Sequence, residues 1–246
     1  MEVHHHSPSP RKKWTHYFWE FLMLFLAVTL GFFVENQREH YIEHQREKQY
    51  IRTLIEDLKS DTAQLAISIA ERMQKENMID SLVFSLNSTG APKQGSSIYY
   101  WGYSVLRPSR FIENDRTIQQ LKNAGNMRLI RKIQISDSIM AYDHQIKRLQ
   151  EIISEENDIR IQFRQFAKKL FDGNILFSII DTETPVIHRP PGNPALANDD
   201  KATINEFLVT LQMTQHVMRI GRRSQDRLKT MATDLIAFLK KEYHLN

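Results

Sequence analysis

Residues 14–34 read WTHYFWEFLMLFLAVTLGFFV, and the way this stretch is read decides what kind of chain this is. Phe21 to Val34 are 14 residues without a charge, which as helix rise only about 21 Å. That falls short of the roughly 30 Å hydrocarbon core of a bilayer. Taken from Trp14, the stretch has 21 residues and rises about 31 Å, so a helix that spans must include Glu20. Trp14, Tyr17, Phe18 and Trp19 put aromatic rings at one end, where membrane–water belts sit. Arg11, Lys12 and Lys13 precede them as in the n-region of a secretory signal, yet the far end, LGFFVENQ, offers no small-x-small cleavage site. The stretch predicts an uncleaved signal anchor: a transmembrane helix over 14–34 behind a tail of residues 1–13.

Basic residues do not by themselves orient this span. Arg38, Arg46, Lys48 and Arg52 follow it as closely as the three basic residues precede it. Long C-terminal domains cross largely regardless of their charge, whereas the short tail is compactly basic. The expectation is an inner-membrane protein with its N-terminus cytoplasmic and its bulk periplasmic. Glu20 stands out within the span, because an ionised carboxylate at membrane depth costs about 2.5–3.5 kcal/mol on insertion scales. Near the end of the helix it can snorkel or take up a proton. Alternatively it pairs with a basic or hydroxyl group on a neighbouring span, which makes Glu20 a candidate partner-binding residue.

Beyond Val34 the sequence turns polar, ENQREHYIEHQREKQ, and no Gly or Pro occurs from Glu35 to Thr89. Residues 35–50 have almost no apolar face and read as a solvated helical stalk. A stripe then begins at Ile51, Leu54, Ile55, Leu58, Leu65, Ile69, Met73, Ile79, Leu82, Val83 and Leu86, with the three- and four-residue spacing of a core-facing helix. Asn87 to Ser97 is a loop leading to the aromatic patch Ile98–Leu106. Asn114 reads as the cap of a short helix 115–124 with Gly125 at its C′ position. A second long helix starts after Ser136, with stripe residues Ile139, Tyr142, Ile146, Leu149, Ile153, Phe163, Phe166 and Leu170. Ile175 to Ile180 could form a strand before a Pro-rich excursion. The last helix begins near Asp199 and carries Ile204, Leu208, Leu211, Met218, Leu228, Leu235 and Leu239.

The predicted fold class is all-α: the N-terminal transmembrane helix continues into an antiparallel bundle of three to four long helices over 51–246, with a minor irregular or short-strand insertion. Three alternating helices would place the 87–135 connection far from the membrane and the Pro-rich loop 182–198 near it. Only 8 Gly and 8 Pro in 246 residues suit long helices better than a sandwich or barrel. A net charge of +4, with both signs interleaved, carries no nucleic-acid footprint. With no cysteine, disulfides, thiolate metal sites and cysteine nucleophiles are excluded.

The anchor and its exit, EFLMLFLAVTLGFFVENQRE, followed by REKQYIRTLIEDLKSDTAQL and later FIENDRTIQQLKNAGNMRLIRK, resemble an uncharacterised family of Gram-negative envelope proteins, a domain of unknown function. The resemblance covers the first 65 residues and a stretch near 111–132. It implies a membrane-anchored helical protein and brings no activity with it.

The candidate chemistry is sparse. His40, Glu43 and His44 match the inverted zincin pattern H-x-x-E-H, with the two imidazoles one turn apart. A polar stalk without a cleft or third ligand favours a solvated face over a metal site. His4, His5 and His6 read as a tail. Tyr99, Tyr100, Trp101 and Tyr103 could anchor a partner or plug the end of the bundle. Arg219, Arg222, Arg223 and Arg227 give the last helix a basic flank, solvated or facing acids on other helices. No P-loop, nucleophile elbow or EF-hand loop occurs. The expectation is therefore a non-enzymatic structural or interaction subunit of an envelope complex, without cofactor. Its partners would be membrane lipid and other membrane subunits, or further copies of itself. The alternative is a periplasmic ligand-sensing module that signals through a partner.

Overall fold

The unbroken run of good helix formers becomes one helix, α1, over Trp14–Asn87, 74 residues long. The computed structural model describes residues 14–88, 94–181, 183–184 and 186–245. The tail 1–13, with His4, His5, His6 and Arg11 to Lys13, lies outside the described residues. By its internal contacts the chain divides into two compact units, Met1–Tyr50 and Ile51–Asn246.

In the first unit the apolar part of α1 is bare. An 18-residue window has mean hydropathy 1.9 and none of it is buried, so this helix is long and apolar enough to cross a membrane by length and composition. Nearly every side chain from Trp14 to Val34 is exposed.

The second unit is an all-α bundle. Among the described residues it adds α2 (Gly95–Val105), α3 (Arg116–Asn123), a 3₁₀ turn (Asn126–Leu129), α4 (Ile133–Leu170), α5 (Gly173–Ile179) and α6 (Lys201–Tyr243). Local chemistry sets most of these boundaries. Asp200 caps α6 by accepting from the Thr203 amide at 2.9 Å. Gly125 follows α3 with φ +64°, the left-handed geometry that ends a helix at little cost for glycine. Asn114 does not cap α3 as expected. Its amide and side chain turn to α1, leaving Asp115 at the N-cap position, where its carboxylate accepts from the Gln119 side chain at 3.1 Å rather than from a helix amide. α4 starts three residues before Ser136, which lies in its first turn with its hydroxyl donating to Ile133.

The expected strand over Ile175–Ile180 is instead α5. Asp172 caps it through the Asn174 amide at 2.7 Å, and the extended pairing there amounts to a single Ile180–Ile187 bridge. A short apolar run reads equally as strand or buried helix, and the capping aspartate decides for helix.

Cross-helix pairs give the topology. Asp61 with Tyr142 and Arg72 with Glu156 join rising numbers to rising numbers, so α1 and α4 run parallel. Ser68 with Gln225 and Asp80 with Gln215 make α6 antiparallel to α1. The segment from α2 to the 3₁₀ turn supplies the missing leg. It descends along α1 through Lys75 to Ser109, Asp61 to Asn114 and Asp57 to Thr117. The bundle is therefore four-legged, up-down-up-down, with one irregular leg.

This overturns the expected separation of the two connections. The Pro-rich excursion lies at the same end of the unit as α2: Ser96 donates to the Pro190 carbonyl at 2.8 Å and Tyr99 to that of Ala195 at 3.0 Å. A Cβ on Gly95 would lie 1.8 Å from the Pro194 oxygen, so glycine is required for this approach. The core at this end joins Ile79, Leu82, Ile98, Tyr99, Phe163, Leu170, Phe171 and Phe207. Each such side chain removed from water contributes about 1.5–3 kcal/mol.

Candidate functional site

The predicted site residues lie in different places. Glu20 is half exposed on α1, and its carboxylate lies 3.1 Å from His16 Nε2, one turn earlier on the same helix. Sequence reasoning weighed snorkelling, protonation or a partner on another helix and did not consider His16, four residues away, the spacing at which helical side chains meet. His40 is exposed, while Glu43 and His44 are half-buried. His44 Nδ1 faces Glu47 at 3.1 Å. Among the described residues no group of three or more His, Asp or Glu side chains is arranged to hold a metal ion.

The aromatic patch is woven into the end of the bundle. Tyr99 is fully buried, its ring 5.1 Å from that of Phe171 and its hydroxyl accepting from the Asp172 amide at 2.9 Å. It is a core residue rather than a surface anchor. Tyr100, Trp101 and Tyr103 are half-buried. Arg189 lies across Tyr100 at 4.7 Å and Trp101 at 5.7 Å, and donates to Ser97 at 2.7 Å. The cation–aromatic contact ties the Pro-rich excursion onto α2.

The basic flank of α6 resolves into two parts. Arg222 bonds Glu76 at 2.8 Å and Asp226 at 3.3 Å, and Arg219 faces Glu76 and Asp80 on α1. Arg223 and Arg227 are exposed.

Sequence reasoning missed a charged layer inside the bundle. α1 turns Arg72 rather than Met73 inward: Arg72 is 1% exposed and Met73 52%. Arg72 Nη1 donates to Glu156 Oε2 at 2.7 Å, and Arg160 Nη2 donates to Glu156 Oε1 at 2.8 Å. Around this triad, Gln225 donates to Ser68 at 3.0 Å and Gln145 to Ser224 at 3.1 Å. Arg72 Nε and Gln225 Oε1 are buried without a hydrogen-bond partner among the described residues. Gly221 makes the room, since a Cβ there would sit 2.9 Å from Arg72 Nη1 and 3.3 Å from Glu156 Oε2. Glu156 offsets one of the two guanidinium charges and leaves one positive charge over, and desolvating all three groups consumes much of the Coulomb gain. The layer therefore does more to fix register than to add stability.

A second polar cluster anchors the descending leg. Asp57 accepts from the Thr117 amide at 3.2 Å, from the Thr117 hydroxyl and from Arg116 at 2.8 Å. Asp61 accepts from the Asn114 amide and the Tyr142 hydroxyl, each at 2.8 Å. Burial pushes the Asp61 carboxyl above its ordinary value against the pull of these donors. These contacts join the two sequence pieces LIEDLKSD and FIENDRT.

Beside the charged layer a cleft of about 370 Å³ opens between α1, α2, the turn at Arg107 and the Val186–Ile187 strap. Lys75 lines it. Burial, helped by Arg72 and Arg160 and opposed by Glu71, lowers its ammonium to about 8. Its Nζ donates to the Arg107 carbonyl and the Ser109 hydroxyl, each at 2.8 Å. An amine partly neutral near physiological pH can act as base or nucleophile, but these bonds commit it to holding the turn. Compared with known proteins, the chain matches no family model, no curated protein and no solved structure.

Proposed function

We propose that this chain is a membrane-anchored structural and interaction subunit of a bacterial envelope complex, with no catalysis of its own. In this reading residues 14–34 sit in the inner membrane, the N-terminus is cytoplasmic and the bundle is periplasmic. The observation that carries it is α1, a single helix that holds both a bare apolar segment and the first leg of a bundle. A helix surface this apolar needs lipid or protein around it.

The test is extraction and purification of the full chain. It should remain with membranes through alkaline carbonate and co-purify with other membrane proteins, or with itself, in mild detergent. Glu20→Leu should reduce that association without reducing membrane retention. Recovery of the full chain in the aqueous fraction without detergent would end the reading. A lone monomer whose Glu20→Leu variant is harmless would remove the assembly role.

A second reading, a periplasmic ligand-sensing module acting through a partner, is favoured by the Lys75 cleft. A specific small ligand should raise the unfolding temperature in proportion to occupancy. Substituting Lys75 should abolish that shift.

A further inference from the structure

A trough of about 350 Å³ lies between the end of α2, α4 and α5. Tyr103 and Leu106 from the end of α2, Ala167 from α4 and Leu176 from α5 form its apolar floor, while Arg107, Arg164 and Lys168 stand exposed on its rim. Among the described residues no carboxylate lines it. Arg164 and Lys168 are like charges one turn apart on α4, an arrangement that disfavours the helix unless something offsets it. Lys168 finds only the neutral Gln165 side chain, at 3.3 Å, and Arg164 makes no ion pair among the described residues. Glu156, about two turns earlier on α4, already holds Arg72 and Arg160. The positive field extends inward, because Arg164 acts on Arg160 and Arg160 in turn on Lys75. Small Ala167 leaves the floor open, and the close approach of Gly102 to Phe171, where a Cβ would meet the ring at 2.3 Å, sets α2 against its wall.

An apolar channel with a cationic rim is complementary to a molecule with one alkyl chain and an anionic head. Its volume is at the lower end of the roughly 300–1,000 Å³ typical of ligand pockets, which suits one chain rather than a two-chain lipid. We propose that the trough binds a free single-chain carboxylate amphiphile, such as a medium-chain fatty acid. The carboxylate sits against Arg164 and Lys168, and the chain lies over Leu106, Ala167 and Leu176. A guanidinium meets a carboxylate with two parallel hydrogen bonds, and each methylene removed from water adds to affinity. The site is independent of the assembly role and can be lost while that role stands.

The test uses the full chain in nanodiscs of neutral phosphatidylcholine and a dodecanoic acid bearing a terminal diazirine, with adducts mapped by peptide mass spectrometry. Adducts are expected on Tyr103 to Arg107 and on Arg164 to Leu176. Decanoate should compete for them at least about tenfold better than decanol or decyltrimethylammonium. Arg164→Glu with Lys168→Glu should reduce labelling at least about tenfold, whereas Arg164→Lys with Lys168→Arg should keep it within about threefold. If charge reversal disturbs folding by circular dichroism, Leu176→Asp, at a half-buried floor position, replaces it with the same expected loss. Adducts confined to residues 14–34, which signal bilayer partitioning alone, overturn the proposal. So does equal competition by the neutral or cationic amphiphile, and so does labelling unmoved by the substitutions.

Discussion

Replacing Gly221 by alanine sets two opposing energies against each other at one atom. In a helix interior alanine is favoured over glycine by about 1 kcal/mol. Here the new methyl group would lie 2.9 Å from Arg72 Nη1, so the guanidinium must move. Arg72 is enclosed, 1% exposed, and its Nη1 is bonded to Glu156 at 2.7 Å. Breaking a buried pair costs about 3–5 kcal/mol, and the low end applies because Glu156 keeps Arg160. The difference is a net loss of about 2 kcal/mol, or roughly 4–8 °C in Tm for a domain of this size. The sign should reverse in an Arg72→Met background, where Gly221→Ala meets no guanidinium and gains up to about 1 kcal/mol. Urea titration of the four proteins by far-UV circular dichroism closes the cycle, with an expected coupling of about 2–3 kcal/mol. A Gly221→Ala single variant more stable than the parent, or a coupling below about 0.5 kcal/mol, refutes the claim that this glycine exists to seat Arg72.

Asp57→Ala strips three bonds from the turn into α3 and should cost about 2–4 kcal/mol. Amide exchange should accelerate around 114–121 more than in α6; a uniform loss of protection would contradict local anchoring. Asp143 is buried, which alone raises its carboxyl, but bonds from Lys122 at 2.8 Å and Lys147 at 3.2 Å outweigh this and hold it below the ordinary 3.8. A depressed carboxyl contributes stability that is present above its unfolded value and is lost as pH falls through the folded one. Asp143→Asn should therefore cost about 2 kcal/mol at neutral pH, and the gap to the parent should close below pH 3.8; a gap independent of pH would refute the ion pairs. For Lys75, competitive acetylation against pH should give an apparent value of about 8 against an ordinary 10.5. Its lowered value also makes stability rise between these two values, as the unfolded chain binds the extra proton, and Lys75→Met should flatten that rise.

Much of the architecture was readable because apolar spacing and capping residues agree. α1 ends one residue beyond its expected limit, and α6 begins two residues after Asp199 with Asp200 as its cap. α3 was legible as a helix, expected over 115–124 and found at Arg116–Asn123, but its place as a descending leg was not: it carries only Thr117, Ile118 and Leu121 inward, too short a pattern to show a period. Its position depends on side-chain bonds to Asp57 and Asp61, which no hydrophobic pattern registers. Missing that leg left open whether the bundle has three legs or four, and put the Pro-rich excursion at the wrong end.

The charged layer did leave a trace in the sequence, as interruptions of the stripes. Omitting the exposed Met73, the α1 stripe breaks between Ile69 and Ile79, the α4 stripe between Ile153 and Phe163, and the α6 stripe between Met218 and Leu228. In each case the flanking residues stand ten positions apart, and each gap is filled at core spacing by polar groups or glycine: Arg72 and Glu76, Glu156 and Arg160, Gly221, Ser224 and Gln225. Three equal breaks on three helices that pack together mark one level of the bundle. Taking the nearest apolar residue, Met73, hid the first of them, because periodicity scoring rewards hydrophobicity at an approximate position rather than burial at the right one. Sliding any helix by one turn would carry Arg72, Glu156 or Gly221 out of the layer, leaving charges in an apolar core at a cost of several kcal/mol. One layer of unlike residues thus holds three long helices of otherwise interchangeable apolar turns in a single register.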